Sequence, residues 1–259
     1  MRILCLIITA LALQSLSPAN AIQVPLLGSD YSIPKVHLQN GKPSGVLISI
    51  LQYMDTQLVN YEFTYQLYPW ARAYRSALVG EGGIIALSKT DERLAIFDYS
   101  DPIFIDEVIM VVRKTDVFTY RGIADLAGRK VGIGRDGSFG EEYEHAKKAG
   151  KLVIEEDNGP VQRLRKLLGG RIDVAFINPG RLAYELTVQS DPFLYAHQQK
   201  MAILATPFKH DVNYLGFAKK LNMKPFIQQF NTALRKGYQT GAIQKILVNY
   251  RDPIQNQQW

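Results

Sequence analysis

Apolar positions along this chain switch repeatedly between a period near two and a period near four, which predicts strands and helices in succession. After the turn Gly41-Lys-Pro-Ser-Gly45, Leu47, Leu51, Met54 and Leu58 recur at helical spacing. Glu62 to Leu67 reads as a strand, with Phe63, Tyr65 and Leu67 alternating. Ala71 to Val79 reads as a helix, Ile84 to Leu87 as a short buried strand, and Val108 to Val112 as a near-continuous β run. The polar stretch Arg113 to Asp116 marks a change of composition, and a new unit begins near Asp125-Leu126. Its first strand is Lys130 to Ile133, followed by the glycine-punctuated turn Gly134-Arg-Asp-Gly137. Ser138-Phe-Gly-Glu141 has the capping-box pattern that opens a helix, with Gly150 as its stop. Val161 to Leu168 forms a further helix ending at Gly169-Gly170, and Ile172 to Ile177 the strand after it. Around Pro207 to Tyr214 the chain crosses back, and Asn213 to Ala218 is a returning strand. Phe226, Phe230 and Leu234 predict one terminal helix, and Ile243, Ile246, Leu247 and Tyr250 a second.

Alternating strands and helices place the chain in the α/β class. A first lobe interrupted by a second, joined by two crossovers, makes a hinge that can close around a ligand. The expected division is residues 1–21 as a leader, 22–113 with 211–259 as a discontinuous first lobe, and 114–210 as the second. The leader follows from Arg2, the apolar stretch Ile3 to Leu13 and the small-x-small site Ala19-Asn20-Ala21. That stretch is shorter than the roughly 20 residues a membrane span needs.

Composition then removes several chemistries. The single cysteine, Cys5, lies within the leader, so the rest of the chain offers neither a disulfide framework nor a thiolate. The formal net charge of +6 is dispersed over separate segments, with no basic run of nucleic-acid type. The four histidines, at 37, 145, 197 and 210, have no metal-ligand spacing. No Gly-x-Ser-x-Gly elbow and no phosphate loop is present. No catalytic residue, cofactor or metal is assigned.

The most informative segment is Thr90 to Pro102, which follows the strand Ile84 to Leu87. Ligands of open α/β sheets bind beyond the carboxyl ends of strands, and a guanidinium there matches a carboxylate through two parallel hydrogen bonds. Ser88-Lys-Thr90-Asp-Glu92-Arg93 with Asp98-Tyr99-Ser100-Asp101-Pro102 resembles a motif pair of the periplasmic solute-binding proteins of family 3, the amino-acid-type receptors of ABC importers. The resemblance continues in Asp125-Leu-Ala-Gly128-Arg-Lys-Val131-Gly-Ile133, Leu167-Leu-Gly-Gly-Arg171-Ile-Asp173-Val-Ala175 and Phe230-Asn231-x-Ala-Leu234, in the family's order.

The resemblance implies a two-lobed type II periplasmic binding protein, each lobe a sheet flanked by helices, with a two-strand hinge. It implies export to the periplasm and binding of a small carboxylate-bearing solute, an amino acid or relative, for delivery to the permease of an ABC importer. A soluble partner of a membrane sensor and a cyclohexadienyl-dehydratase-like enzyme on the same fold are the alternatives, the latter with Glu141, Glu142 or Asp173 as its acid.

By the same resemblance Arg93 holds the ligand carboxylate and Ser88 adds a hydrogen bond. Trp70 and Arg72, in Tyr68-Pro-Trp70-Ala-Arg72, and Tyr31 enclose its body. Ser138 acts from the second lobe, as helix cap, ligand contact or both. Asn178 stands where the amino-acid receptors carry an aspartate for the ligand's ammonium. An amide brings no negative charge, so either Asp157 or Glu185 compensates or the ligand has no α-amine.

Overall fold

The computed structural model describes residues 21–251. The expected leader lies outside them except for Ala21. The first body opens with strand β1 (Ile22–Ser29) and a small antiparallel sheet of β2 (Tyr31–Ser32), β3 (Val36–Gln39) and β4 (Lys42–Ser44). Helix α1 (Val46–Gln57), β5 (Tyr61–Tyr68), α2 (Trp70–Leu78), β6 (Gly83–Leu87), α3 (Asp91–Ile96) and β7 (Phe97–Tyr99) follow. A long strand β8 (Phe104–Arg113) leads to the second body: β9 (Lys130–Gly134), α4 (Glu141–Lys148), β10 (Val153–Asp157), α5 (Pro160–Leu168), β11 (Val174–Ile177), α6 (Gly180–Ser190), α7 (Pro192–His197) and β12 (Met201–Ile203). Strand β13 (Lys209–Ala218) returns to the first body, where α8 (Lys224–Gln239) and α9 (Ala242–Arg251) complete the described chain.

Burial explains which strands sit where. In β6, Ile84, Ile85 and Leu87 are all buried, as a strand covered on both faces requires. Strand β1 lies between β5 and β6, parallel to both. One face of this sheet packs on α1, α8 and α9 through Leu47, Leu51, Met54, Phe226, Phe230 and Leu234. The other face packs on α2, whose small Ala73 and Ala77 admit close approach to Leu27, Ile84 and Phe97. In the second body β9 lies between β10 and β11. Its faces are covered by a Phe139, Tyr143, Phe176 and Phe208 cluster and by Leu164, Leu167, Ala183 and Leu194.

The hinge comes from register. Residues 104–108 of β8 pair antiparallel with 209–213 of β13. Beyond that segment the two strands diverge. Residues 109–112 of β8 pair with β11, while 214–218 of β13 pair with β6 and β7. Val108 to Val112 send their side chains into the second body's cores. The predicted two-strand hinge is therefore present as a continuous antiparallel pair shared by two α/β bodies.

Two local expectations need correction. The turn expected at Gly41 to Gly45 is a β-hairpin arm: Asn40 and Gly41 make the turn and Lys42 to Ser44 pair back on β3. The capping box expected at Ser138 does not form. Gly140 is the N-cap, at φ 90, and α4 begins at Glu141. Strand β10 and helices α6 and α7 carry too weak a periodicity to be read from the sequence.

Candidate functional site

A cavity of about 550 Å³ lies between the two bodies. The first body contributes Asp30, Tyr31, Ile33, Lys35, Val36, Trp70, Ile85, Ala86, Ser88 and Arg93; the second contributes Ser138, Phe139, Asp157, Arg163, Ile177 and Asn178. The cavity opens beyond the carboxyl ends of β1 and β6, as expected for an open α/β sheet.

Arg93 reaches the cavity because Thr90 caps α3. The Thr90 hydroxyl accepts the Arg93 amide at 3.2 Å, which starts the helix and directs the guanidinium inward. Arg93 is buried to 5 % exposure. One of its terminal nitrogens donates to the Ser88 carbonyl at 3.3 Å, and the guanidinium stands 4.8 Å from the Tyr74 ring centroid. No carboxylate of the described residues pairs with it. A buried guanidinium whose remaining donors face a cavity is built to receive an anion.

The approach to Arg93 is distorted. Ala86 has φ 64, in the left-handed region that side-chain-bearing residues seldom occupy. The register of β13 against β6 shifts opposite it, between Tyr214 and Leu215. The resulting bulge re-aims the strand end before Ser88.

Ser88 is buried, and its hydroxyl donates to Asp211 Oδ2 at 2.8 Å. A serine has one proton to donate, so this hydroxyl holds Asp211 while its backbone carbonyl holds Arg93. Asp211 in turn lies 3.0 Å from Lys209 Nζ, a charge contact rather than an aligned hydrogen bond. Behind it, Lys35 Nζ donates to Asp106 at 2.6 Å and to Asn213 at 2.9 Å. Asp106 and Asp211 face one another in the hinge register. Burial raises the Asp106 pKa; Lys35 opposes the shift and the neighbouring Asp211 charge adds to it.

Lys35 is held by close backbone approach. Its carbonyl accepts Leu47 N, and a Cβ on Gly45 would stand 2.4 Å from that oxygen. With φ 116 as well, only glycine suits position 45. The sequence offered no sign of this cluster, because Lys35, Asp106, Asp211 and Asn213 come from three separate segments.

Trp70 lies on the cavity wall and stacks on Tyr74, with centroids 6.0 Å apart and 16° between planes. Its indole N–H crosses to the second body and donates to the Asp136 carbonyl at 3.2 Å. Tyr31 stands at the rim, 43 % exposed. Arg72 does not join the cavity. Ala71, Ala73 and Ala77 take the inner face of α2, leaving Arg72 exposed with its guanidinium 3.9 Å from the Tyr68 ring centroid.

On the second wall, the Ser138 hydroxyl is buried without a hydrogen-bond partner, freed by the shift of the helix start to Gly140. Asn178 follows β11, half-buried, with no hydrogen bond to its side-chain amide. Asp157 is fixed by Arg163 through two hydrogen bonds of 2.9 and 2.8 Å, and Arg163 also donates to the Phe176 carbonyl. Glu185 lies 3.9 Å from Arg181 on α6. Neither acid takes the place of a carboxylate at Asn178. Glu141 Oε1 accepts the Asp91 amide at 2.5 Å, so together with the Trp70 bond two hydrogen bonds cross between the walls, while Lys209 Nζ donates to the Phe139 carbonyl at 3.0 Å within the second body.

The other sequence motifs are structural. Asp173 accepts the Lys130 amide and an Arg113 nitrogen, joining β9 to the end of β8. The Ser100 hydroxyl accepts Leu215 N, and Asn231 accepts Asp101 N. Among the described residues no group of His, Cys, Asp and Glu could hold a metal ion. No described helix is long and apolar enough to cross a membrane.

The family model for bacterial extracellular solute-binding proteins, family 3, matches residues 27–252. The chain belongs to this family. No curated protein matches this solute-binding protein. Solved structures share its fold, in the type II periplasmic binding protein arrangement. A histidine kinase sensor domain with similarity to periplasmic binding proteins superposes with a TM-score of 0.73 at 20% identity, covering 89% of this chain and 96% of that one. A mutant of ArgBP from T. maritima gives 0.70 at 18% identity, over 89% and 95%. AbpA from Streptococcus pneumoniae, an amino acid ABC transporter substrate-binding protein bound to L-arginine, gives 0.67 at 19% identity, over 88% and 94%.

Proposed function

We propose that this solute-binding protein captures a small carboxylate-bearing solute in the periplasm and presents it to the permease of an ABC importer. The observation carrying this reading is Arg93: a buried cation without a carboxylate partner, facing a cavity between two bodies joined by a two-strand hinge. Arg93 takes the ligand carboxylate, with Ser88 positioning it. Trp70 and Tyr31 flank the ligand body, and Ser138 and Asn178 offer unpartnered polar groups from the second lobe. Arg72, exposed on the outer face of α2, is left out of the site. Lobes 22–113 with 211–259 and 114–210 move about the hinge, and the ligand biases the equilibrium by touching both.

Thermal shift against a panel of carboxylates and amino acids, with native protein and Arg93→Gln, tests the reading. A ligand at a hundredfold excess over Kd adds about 2.7 kcal/mol to native stability. Removing a charged binding partner costs about 2–5 kcal/mol of affinity, so Arg93→Gln loses the shift while its circular dichroism stays native. A shift of equal size in the variant sinks the site assignment.

The likeness to a histidine kinase sensor domain supports a second reading, in which a membrane sensor takes the permease's place. Co-purification of the loaded protein with permease subunits or with a kinase separates the two.

A further inference from the structure

The fixed charges around the cavity narrow the class of solute, an inference that rests on the carboxylate reading above. Each of its buried acids already has a cation beside it, although Asp211 Oδ1 and Asp106 Oδ1 accept no hydrogen bond. Asp157 receives two hydrogen bonds from Arg163, and Asp211 receives Ser88 and sits beside Lys209. Asp106, next inward, is held by Lys35. Those three cations are thereby engaged, and Arg93 remains as the buried cation with no acid partner among the described residues.

On the opposite wall the unpartnered Ser138 and Asn178 are neutral, and Arg135, the unpaired charge of that wall, is an exposed cation. Asp30 is the unpaired acid of the lining, and it lies half-exposed next to the exposed Tyr31, where water and salt screen it. The buried part of the cavity therefore carries one net positive charge, within walls that include Ile33, Val36, Ile85 and Phe139.

We infer that the solute is an amine-free carboxylic acid with a largely apolar body, its carboxylate on Arg93 and its far end meeting Asn178 and Ser138 without a positive charge. An ammonium taken into this space gives up its hydration and finds no buried carboxylate that lacks a cation beside it, since even the Asp211 oxygen that accepts no hydrogen bond lies 3.0 Å from Lys209 Nζ. A hydroxyl or keto oxygen is accommodated, because the Asn178 amide and Ser138 hydroxyl can both donate to it.

Isothermal titration with matched pairs tests this: 4-methylpentanoate against L-leucine, 3-phenylpropanoate against L-phenylalanine, and 3-methylbutanoate against L-valine. The expected result is at least one amine-free acid binding tenfold or more tighter than its amino partner, with Arg93→Gln abolishing that binding. Asn178→Asp, which places a carboxylate on the neutral wall, is expected to move the preference at least tenfold toward the amino acid. An amino acid that binds the native protein as tightly as its amine-free partner, and still depends on Arg93, overturns this inference and leaves the carboxylate reading standing. Loss of such amino-acid binding in Asp30→Asn would identify Asp30 as the ammonium's partner and overturn it equally. Binding indifferent to Arg93→Gln, or silence from all six compounds at millimolar concentration, overturns the carboxylate reading as well.

Discussion

Replacing Lys35 by methionine removes the ammonium from the hinge cluster while keeping most of the side chain's volume. The Lys35 and Asp106 side chains are 4% and 3% exposed, and Nζ gives up hydrogen bonds of 2.6 Å to Asp106 and 2.9 Å to Asn213. Asp106 Oδ1 already lacks a hydrogen-bond partner, and Asp211 faces the same residue across the strand pair. Breaking a buried pair on one side costs about 3–5 kcal/mol, against a total of about 5–15 for a typical protein. At about 2–4 °C per kcal/mol for a domain of 150–250 residues, the melting temperature falls by roughly 6–20 °C.

The pH dependence has a definite sign. Burial raises the Asp106 pKa, so the stability tied to its neutral form is present at acid pH and lost as pH rises through the folded value. Lys35 opposes that rise, and its removal moves the folded value further up. The deficit of Lys35→Met relative to native protein therefore widens from pH 5 to pH 8, as urea denaturation at both pH values would measure. Lys35→Met combined with Asp106→Leu recovers most of the loss, because no buried charge is left alone. A single variant within about 1 kcal/mol of native at pH 8, or a double variant no more stable than the single, refutes the reasoning.

Phe226→Ala opens the first core where the Phe226 ring meets Tyr61, Phe63, Phe217 and Phe230, and loses about 3–5 kcal/mol in chemical denaturation. Gly45→Ala puts a methyl 2.4 Å from the Lys35 carbonyl at a φ of 116 and loses about 2 kcal/mol or more, read as a lowered denaturation midpoint. Glu141→Gln weakens the bond to the Asp91 amide across the cleft and raises the apparent Kd of any cavity ligand a few-fold without lowering stability by more than about 1 kcal/mol.

The sequence made the frame readable because its signals are local. A buried strand such as Ile84 to Leu87, or a helix with Phe226, Phe230 and Leu234 on one side, declares its period within a few residues. Arg93 was legible for the same reason: a capping threonine three residues earlier and a strand just before it place it at a sheet's end. Arg72 falls outside the site because two residues along a helix rotate slightly more than a half-turn, enough to leave Trp70 inside and Arg72 outside. The local pattern at Ser138 fits a cap as well as a ligand contact, and a positive φ at Gly140 places the helix start two residues later. The Lys35, Asp106, Asp211 and Asn213 cluster depends on strand register between distant segments, which no local pattern carries. The left-handed Ala86 had no signal either, since glycine is the usual marker of such a backbone and alanine stands there.

The two hydrogen bonds that cross the cleft, from Trp70 to Asp136 and from Asp91 to Glu141, join protein groups to protein groups. They give the joined arrangement a population of its own, so a partner that senses shape meets a standing background unrelated to supply. Each 1.4 kcal/mol held in such bonds shifts the empty equilibrium about tenfold toward the joined form. Up to the point where that form dominates, the shift improves apparent affinity; past it, the shift only erodes the contrast between empty and loaded protein. Placing Asp136 on an exposed turn and Glu141 at a half-buried helix start keeps these bonds hydrated and weak, which preserves the contrast. Strengthening the latch would thus make a tighter receptor and a poorer messenger.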